Sequence, residues 1–178
     1  MHTQVADPVF LAGVAPLYTR LCAALAKLCL RVGVAGMCLL VLAVLYQVIG
    51  RYVFNDTPTW AESGAVLLVL YVTMLGMAVG VRDAGHIGLE SLLVLAPPKL
   101  RLAMERVIHL LVLVFGLVMA WNCGVLAASV WDYKIPTLGI SEAFKYVPPA
   151  MAGVLVALFS MEHLIALARG IEVEPSWH

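Results

Sequence analysis

Four long stretches of this 178-residue chain contain no Asp, Glu, Lys or Arg: residues 32–50, 63–81, 107–131 and 146–161. After Glu162 and His163 the last stretch resumes and continues to Arg169. About 20 apolar residues of helix span the roughly 30 Å hydrocarbon core of a bilayer, where a helix satisfies its own backbone hydrogen bonds. The stretches therefore predict an all-α membrane protein with four transmembrane helices, at 29–50, 63–81, 107–130 and 146–168.

The composition argues against several other classes of protein. Apolar residues make up 63% of the chain and charged residues 12%, whereas soluble domains have about 45–50% and about 25%. Since so few charges cannot coat a water-exposed surface, we do not expect a soluble enzyme. The 11 basic residues equal the 11 acidic ones, so no excess positive charge favours a nucleic-acid partner.

The basic residues predict the orientation in the membrane. Four spans put both termini and the middle loop on one side, which carries eight of the Lys and Arg residues. The other side carries three, Arg51, Lys134 and Lys145. Because loops rich in basic residues stay in the cytoplasm, both termini are predicted to be cytoplasmic.

Two further segments have the pattern of amphipathic helices that lie in the membrane interface and contact lipid headgroups. In the N-terminal segment, 9–28, the stripe formed by Arg20 and Lys27 continues to Arg31 at helical spacing and lies opposite a row of leucines, Leu17, Leu21, Leu25 and Leu28. In the middle loop, residues 86–96 repeat apolar side chains at helical spacing before two prolines. Both segments are predicted to lie on the cytoplasmic face.

The predicted spans have no charged residue in their middle. Charges at that depth usually mark ion pathways or proton relays, and interrupted helices mark substrate sites in transporters. Neither feature is present, so the chain is predicted to move no substrate by itself and to bind no cofactor. A stand-alone channel or exporter, which would transport unaided in liposomes, is a third possibility that these spans argue against.

Small residues four positions apart predict close helix packing, because they let helix backbones approach each other in lipid. The pattern does not decide whether the neighbour is another helix of this chain or a separate membrane subunit. The residues are Gly76 and Gly80 in the second span, Gly116, Ala120 and Gly124 in the third, and Gly153 in the fourth.

Two histidines raise a different possibility. His109, near the start of span three, and His163, near the end of span four, are predicted to lie at similar depth. Such a pair can ligate a haem iron, as in a four-helix membrane anchor of a quinone-linked oxidoreductase. The alternative is that both are polar residues near the interface that bind nothing.

The first outer loop, between spans one and two, is the most densely patterned segment. Its aromatic rings suit the membrane interface, its centre has the residues of a turn, and an acid begins the next helix. Arg51 is positioned to pair with Glu62 across the turn. The candidate anchoring or contact residues here are Arg51, Tyr52, Phe54, Asn55, Trp60 and Glu62.

At these positions the chain resembles the small membrane subunit, of DctQ type, of tripartite ATP-independent periplasmic (TRAP) transporters. That family opens its first outer loop with Arg-Tyr-x-Phe-Asn, followed by a tryptophan and acidic residues, and its glycine-bearing second span ends in an arginine and a His-Ile pair. The resemblance covers roughly residues 30–168. Ala61 departs from it, since many relatives carry a second acid there. The matching positions are 51–55, Trp60, Glu62, Gly76, Arg82 and His86-Ile87.

The resemblance implies a function that the chain performs only with partners. In such systems a periplasmic solute-binding protein captures an organic acid, and a large multi-spanning subunit carries it inward on a sodium gradient. The small subunit is implied to be part of the fixed scaffold beside the moving domain. Its contacts would be the outer-loop residues and, on the cytoplasmic side, Arg82 and His86. The haem anchor is the alternative.

Overall fold

The computed structural model describes residues 14–55, 58–83 and 97–169. Within them the chain forms helices α1 (Val14–Val53), α2 (Thr59–Asp83), α3 (Pro98–Ser129) and α4 (Val147–Arg169), with a short 3-10 helix, Glu142–Lys145, before α4. All four α-helices are long and apolar enough to cross a membrane. The predicted all-helical class and the predicted number of spans are confirmed.

The helices extend beyond the predicted spans. From Val14 onwards, the predicted N-terminal segment and the first span form one helix of 40 residues, about 60 Å long and twice the hydrocarbon thickness. α3 begins nine residues before its predicted span, at Pro98, because proline is tolerated where a helical N–H has no partner. Residues 9–13 and the predicted helix at 86–96 lie outside the described residues.

The helices pack as a row in the order α1, α2, α4, α3. α1 also contacts α4 near one end of the helix axes. There the Tyr18 hydroxyl donates a hydrogen bond to the Leu158 carbonyl, 2.7 Å away. We call this the inner end, after the predicted orientation; it holds the start of α1 and α3 and the end of α2 and α4. The outer end holds residues 54–55 and 58 and the connection 130–146. A row of this kind presents two broad apolar faces to its surroundings.

Two glycines let α3 and α4 touch backbone to backbone. A Cβ atom on Gly153 would lie 2.6 Å from the Ala120 nitrogen and 2.7 Å from the Gly116 carbonyl oxygen, and one on Gly116 would lie 2.8 Å from the Gly153 carbonyl oxygen. α1 and α2 approach at Gly36, where a Cβ atom would lie 2.7 Å from Cγ2 of Val72. The sequence pattern did not single out Gly36.

The other predicted packing glycines lie elsewhere. A Cβ atom on Gly76, Gly80 or Gly124 would meet nothing within 4 Å in the described part of the chain. No other described helix of this chain therefore approaches these three closely, and their packing against a separate membrane subunit stays a prediction. Spacing along a helix shows that small residues share a face but not whether a neighbour covers that face.

Candidate functional site

A buried ion pair joins α2 to α4 at the inner end. Arg82 and Glu162 are 2% and 1% exposed. The Arg82 Nε donates to Oε2 of Glu162 at 2.9 Å and its Nη2 donates to Oε1 at 3.1 Å. The third guanidinium nitrogen, Nη1, donates to Oδ1 of Asp83 at 2.9 Å. The planar fork of arginine fits a carboxylate in this two-bond geometry.

This pair corrects the sequence analysis at one residue and adds another. Arg82 was predicted to contact a partner subunit, but its side chain is buried against this chain's own α4. Glu162 was not singled out, because it lies near the end of its span. One signal could have found it: a charge that interrupts an apolar span usually has a buried partner, and Arg82 lies at the corresponding end of the second span.

The start of α1 packs against α2 and α4 at the inner end, where the ion pair lies. Cys22, Ala26 and Cys29 are buried and pack with α2 and α4, and Tyr18 donates its hydroxyl hydrogen to α4. The leucines of the predicted interfacial stripe, such as Leu21 and Leu28, remain exposed. The small residues between them are what allow α1 to approach the bundle.

We expect Tyr18→Phe to lower the free energy of unfolding by about 1 kcal/mol, the usual net contribution of one hydrogen bond. The ring remains, so what is lost are the contacts of the hydroxyl, above all its hydrogen bond to the Leu158 carbonyl. Thermal unfolding of the detergent-solubilised chain measures the change. Tyr46→Phe is the control, because Tyr46 is exposed and contacts Trp60 through its ring. Equal stabilities of Tyr18→Phe and the wild type would contradict this assignment.

His109 and His163 lie side by side next to the ion pair. Their rings stack with centroids 4.6 Å apart and planes 7° from parallel. His163 Nε2 lies 2.9 Å from the Arg82 carbonyl oxygen, and since a carbonyl only accepts, Nε2 donates. Two axial ligands of a haem must point nitrogens at the iron from opposite faces of the macrocycle. Rings stacked face to face leave no space for it, so the geometry argues against the haem anchor.

We expect the purified protein to show no Soret band from bound haem. The reason is the stacking of His109 on His163, which fills the space an axial pair would leave open. An absorption spectrum of protein expressed with excess haem checks this. A Soret band that disappears in His109→Ala or His163→Ala would restore the haem-anchor interpretation.

The first outer loop is exposed. Arg51 and Glu62 are both exposed, and among the described residues no ion pair joins them, so the predicted pairing across the turn is wrong. Tyr52 and Phe54 are 80% and 74% exposed. Their rings are accessible to lipid or to a partner.

Two other loop residues have structural contacts. Asn55, two residues after the end of α1, has a φ of 53°, a left-handed conformation in which asparagine is enriched. Trp60 contacts α1 through Tyr46, with ring centroids 5.8 Å apart. His86, the remaining predicted contact residue, lies outside the described residues.

The second outer connection folds back on itself and reaches α2. The Ile135 nitrogen donates to the Ile140 carbonyl at 2.8 Å, and the Glu142 nitrogen donates to the Tyr133 carbonyl at 2.7 Å. Within this loop, Thr137 places its hydroxyl oxygen 2.6 Å from that of Ser63 in α2. The outer ends of the two helix pairs are thus hydrogen-bonded to each other.

Fold and site together define a class of protein. The buried polar residues of the described helices, Arg82, His109, Ser160 and Glu162, all lie in the inner half of their helices. The described residues contain no group of three or more His, Cys, Asp or Glu placed to bind a metal ion. This is a multi-pass helical membrane protein whose described interior is packed.

Comparison with known proteins gives the family. The family model for the DctQ component of tripartite ATP-independent periplasmic transporters matches residues 40–170. This chain belongs to that family, which is a family of transporter subunits. The resemblance stated from the sequence is confirmed.

Relatives of the chain carry names from the same systems. The sialic acid TRAP transporter permease protein SiaT of Haemophilus influenzae is 30% identical over 132 residues, which are 73% of this chain and 21% of SiaT. The C4-dicarboxylate TRAP transporter small permease protein DctQ of Vibrio cholerae is 34% identical over 79 residues, 43% of this chain and 34% of that protein. The chain therefore spans far less than two thirds of either relative. The sialic acid TRAP transporter small permease protein SiaQ of Vibrio cholerae is 27% identical over 130 residues, 72% of this chain and 75% of SiaQ.

Proposed function

We propose that this chain is the small scaffold subunit of a TRAP transporter in a bacterial inner membrane, with both termini in the cytoplasm. It supports a large carrier subunit in the sodium-driven uptake of an organic acid that a periplasmic binding protein delivers. The observation that carries the proposal is the placement of the buried charges: among the described residues Arg82 and Glu162 pair with each other in the inner half of the helices. A carrier needs polar groups for cargo and coupling ion near the bilayer midplane.

The row of helices suits a supporting role. A carrier domain that moves across the membrane needs a frame that does not move with it. Four helices side by side widen such a frame more than a compact bundle would, and they offer one broad apolar face to the carrier subunit while the other contacts lipid.

The outer-loop residues are the proposed contacts with the large subunit. They are exposed and therefore available for contact with a partner. Arg82 is buried, so it is no longer proposed as a contact. His86 stays in the proposal as a contact on the cytoplasmic side. The set on the outer side is Arg51, Tyr52, Phe54, Asn55, Trp60 and Glu62.

Reconstitution tests the proposal directly. Vesicles containing this chain alone, the large subunit alone, or both are given the binding protein, its organic acid and a sodium gradient. We expect uptake when both subunits are present, and none with this chain alone. Uptake by this chain alone, or full uptake by the large subunit without it, would contradict the proposal.

We expect Arg51→Ala and Glu62→Ala each to weaken copurification with the large subunit by up to about fivefold, because an exposed charge contributes at most about 1 kcal/mol. Capture of the organic acid by the binding protein should not change. Lys134→Ala, which removes an exposed charge from the other outer connection, is the control. If both variants copurify and support uptake like the wild type, the contact assignment is wrong.

A further inference from the structure

We propose that two polar clamps, one near each membrane surface, lock the two helical hairpins of this chain into one rigid plate. The hairpins are α1 with α2 and α3 with α4, and the seam between them runs along α2 and α4. The inner clamp is the contact of Arg82 and Tyr18 with α4, and the outer clamp is the contact of Ser63 with Thr137.

The seam differs from the packing inside each hairpin. Inside the hairpins the helices approach closely at glycines: Gly116 and Gly153 in one, Gly36 in the other. The glycines of α2 do not serve the seam in this way, since a Cβ atom on Gly76 or Gly80 would meet no described atom within 4 Å. Apolar side chains gain little by leaving lipid tails for another helix. The buried apolar cluster across the seam, which includes Ala78, Ala152 and Phe159, brings the hairpins together by van der Waals packing, and the polar contacts fix their register.

The inner clamp fixes the register of the seam. Arg82 of one hairpin makes two hydrogen bonds to Glu162 of the other, and its carbonyl accepts one from His163. Tyr18 adds a fourth contact between the hairpins, at the Leu158 carbonyl. A slip of one residue along a helix moves a side chain by about 1.5 Å and turns it by about 100°, which breaks both guanidinium bonds. The clamped register is thus the one in which the buried charges are paired.

The outer clamp prevents rotation about the inner one. Ser63 and Thr137 bond at 2.6 Å, and Thr137 lies in a loop closed by its own backbone hydrogen bonds. Ser63 and Arg82 are 19 residues apart in α2, about 28 Å along the helix. That distance is close to the roughly 30 Å hydrocarbon core, so the clamps lie near its two surfaces. One clamp would leave a pivot, whereas two fix the angle between the hairpins.

The lock is a property of this chain by itself, and only its purpose rests on the proposed function. A plate that bends at its seam would absorb part of the force that a moving carrier domain exerts on it. A test on the chain without its partners therefore separates failure of the lock from failure of the scaffold role.

Distances between the outermost helices, α1 and α3, test the lock. Spin labels are introduced as a non-canonical amino acid, which keeps the native cysteines, into the full chain in lipid nanodiscs. One pair replaces Leu28 and Leu110 at the inner end, and the other replaces Leu45 and Val125 nearer the outer end; all four are exposed. Pulsed electron paramagnetic resonance then gives the distance distribution at each end. We expect one narrow distribution per pair in the wild type.

Each clamp is removed separately. Glu162→Gln should broaden or split the inner distribution, and Ser63→Ala should do the same to the outer one. Glu162→Asp, which keeps a carboxylate opposite Arg82, should broaden the inner distribution less than Glu162→Gln does. The controls are Glu105→Gln, which breaks an ion pair within α3, and Ser129→Ala, which removes a hydrogen bond within α3. Neither should change either distribution.

Three results would contradict the proposed lock. A broad wild-type distribution shows that the hairpins are not locked. Narrow distributions in folded Glu162→Gln and Ser63→Ala show that the clamps do not lock them. Should Glu162→Gln fail to fold, Ser63→Ala decides: an unchanged outer distribution in that variant contradicts the inference.

Discussion

Glu162→Ala is expected to lower the free energy of unfolding by about 3–5 kcal/mol, the cost of leaving a buried charge without its partner. Arg82 would keep its contact with Asp83 but lose both bonds to α4. Denaturant unfolding of the solubilised chain, followed by circular dichroism, measures the change. The control is Glu105→Ala, whose partner Arg101 is half exposed, so that the expected loss is at most about 1 kcal/mol.

The triple variant Arg82→Met, Asp83→Asn and Glu162→Leu separates charge pairing from packing. Removing the three charges together leaves neither the arginine nor a carboxylate of this ion-pair group behind, so we expect it to cost less than Glu162→Ala. If Glu162→Ala is no more harmful than Glu105→Ala, the buried pair does not hold the helices together. If the triple variant is as unstable as Glu162→Ala, the loss comes from packing.

Gly153→Ala is expected to lower the free energy of unfolding by about 1–3 kcal/mol, the usual cost of overpacking. Its new Cβ atom would lie 2.6 Å from a backbone nitrogen of α3, at Ala120. A backbone atom cannot turn aside as the end of a side chain can, so α3 and α4 must move apart. Thermal unfolding measures the loss.

Gly124→Ala is the matched control, because it makes the same change in α3 where no described atom lies within 4 Å. Alanine favours helix over glycine by up to about 1 kcal/mol, so this variant should be as stable as the wild type or more stable. Similar losses in the two variants would show that the close approach at Gly153 is not what holds the helices.

The number and approximate position of the spans could be predicted because the hydrocarbon core of a bilayer strongly restricts what a long charge-free stretch can form. A stretch such as 63–81 without a charge has few alternatives to a membrane helix, and α2 extends only a few residues beyond it. The ends of α1 and α3 were harder to predict. Basic residues such as Arg20 and Arg101 are compatible both with a separate interfacial helix and with the continuation of a span past the membrane surface.

The contacts between helices could not be predicted, because they depend on which faces meet. Arg82 at the end of a span is compatible with a contact to a partner or with burial, and its partner Glu162 is 80 residues further along. Gly76 and Gly153 lie in the same kind of small-residue pattern, yet only Gly153 meets another helix. The similar depth predicted for His109 and His163 agrees with their stacking, but only the ring geometry argues against haem.

The most direct test of the central claim measures this chain while transport occurs. In the complex with the large subunit, labels at Leu28 and Leu110 report the width of the plate, and a third label on the large subunit reports the carrier's position. When sodium and the organic acid are added, we expect the carrier to move while the distance from α1 to α3 stays the same. A change in that distance in step with the carrier would mean that this chain takes part in the movement and is not its fixed support.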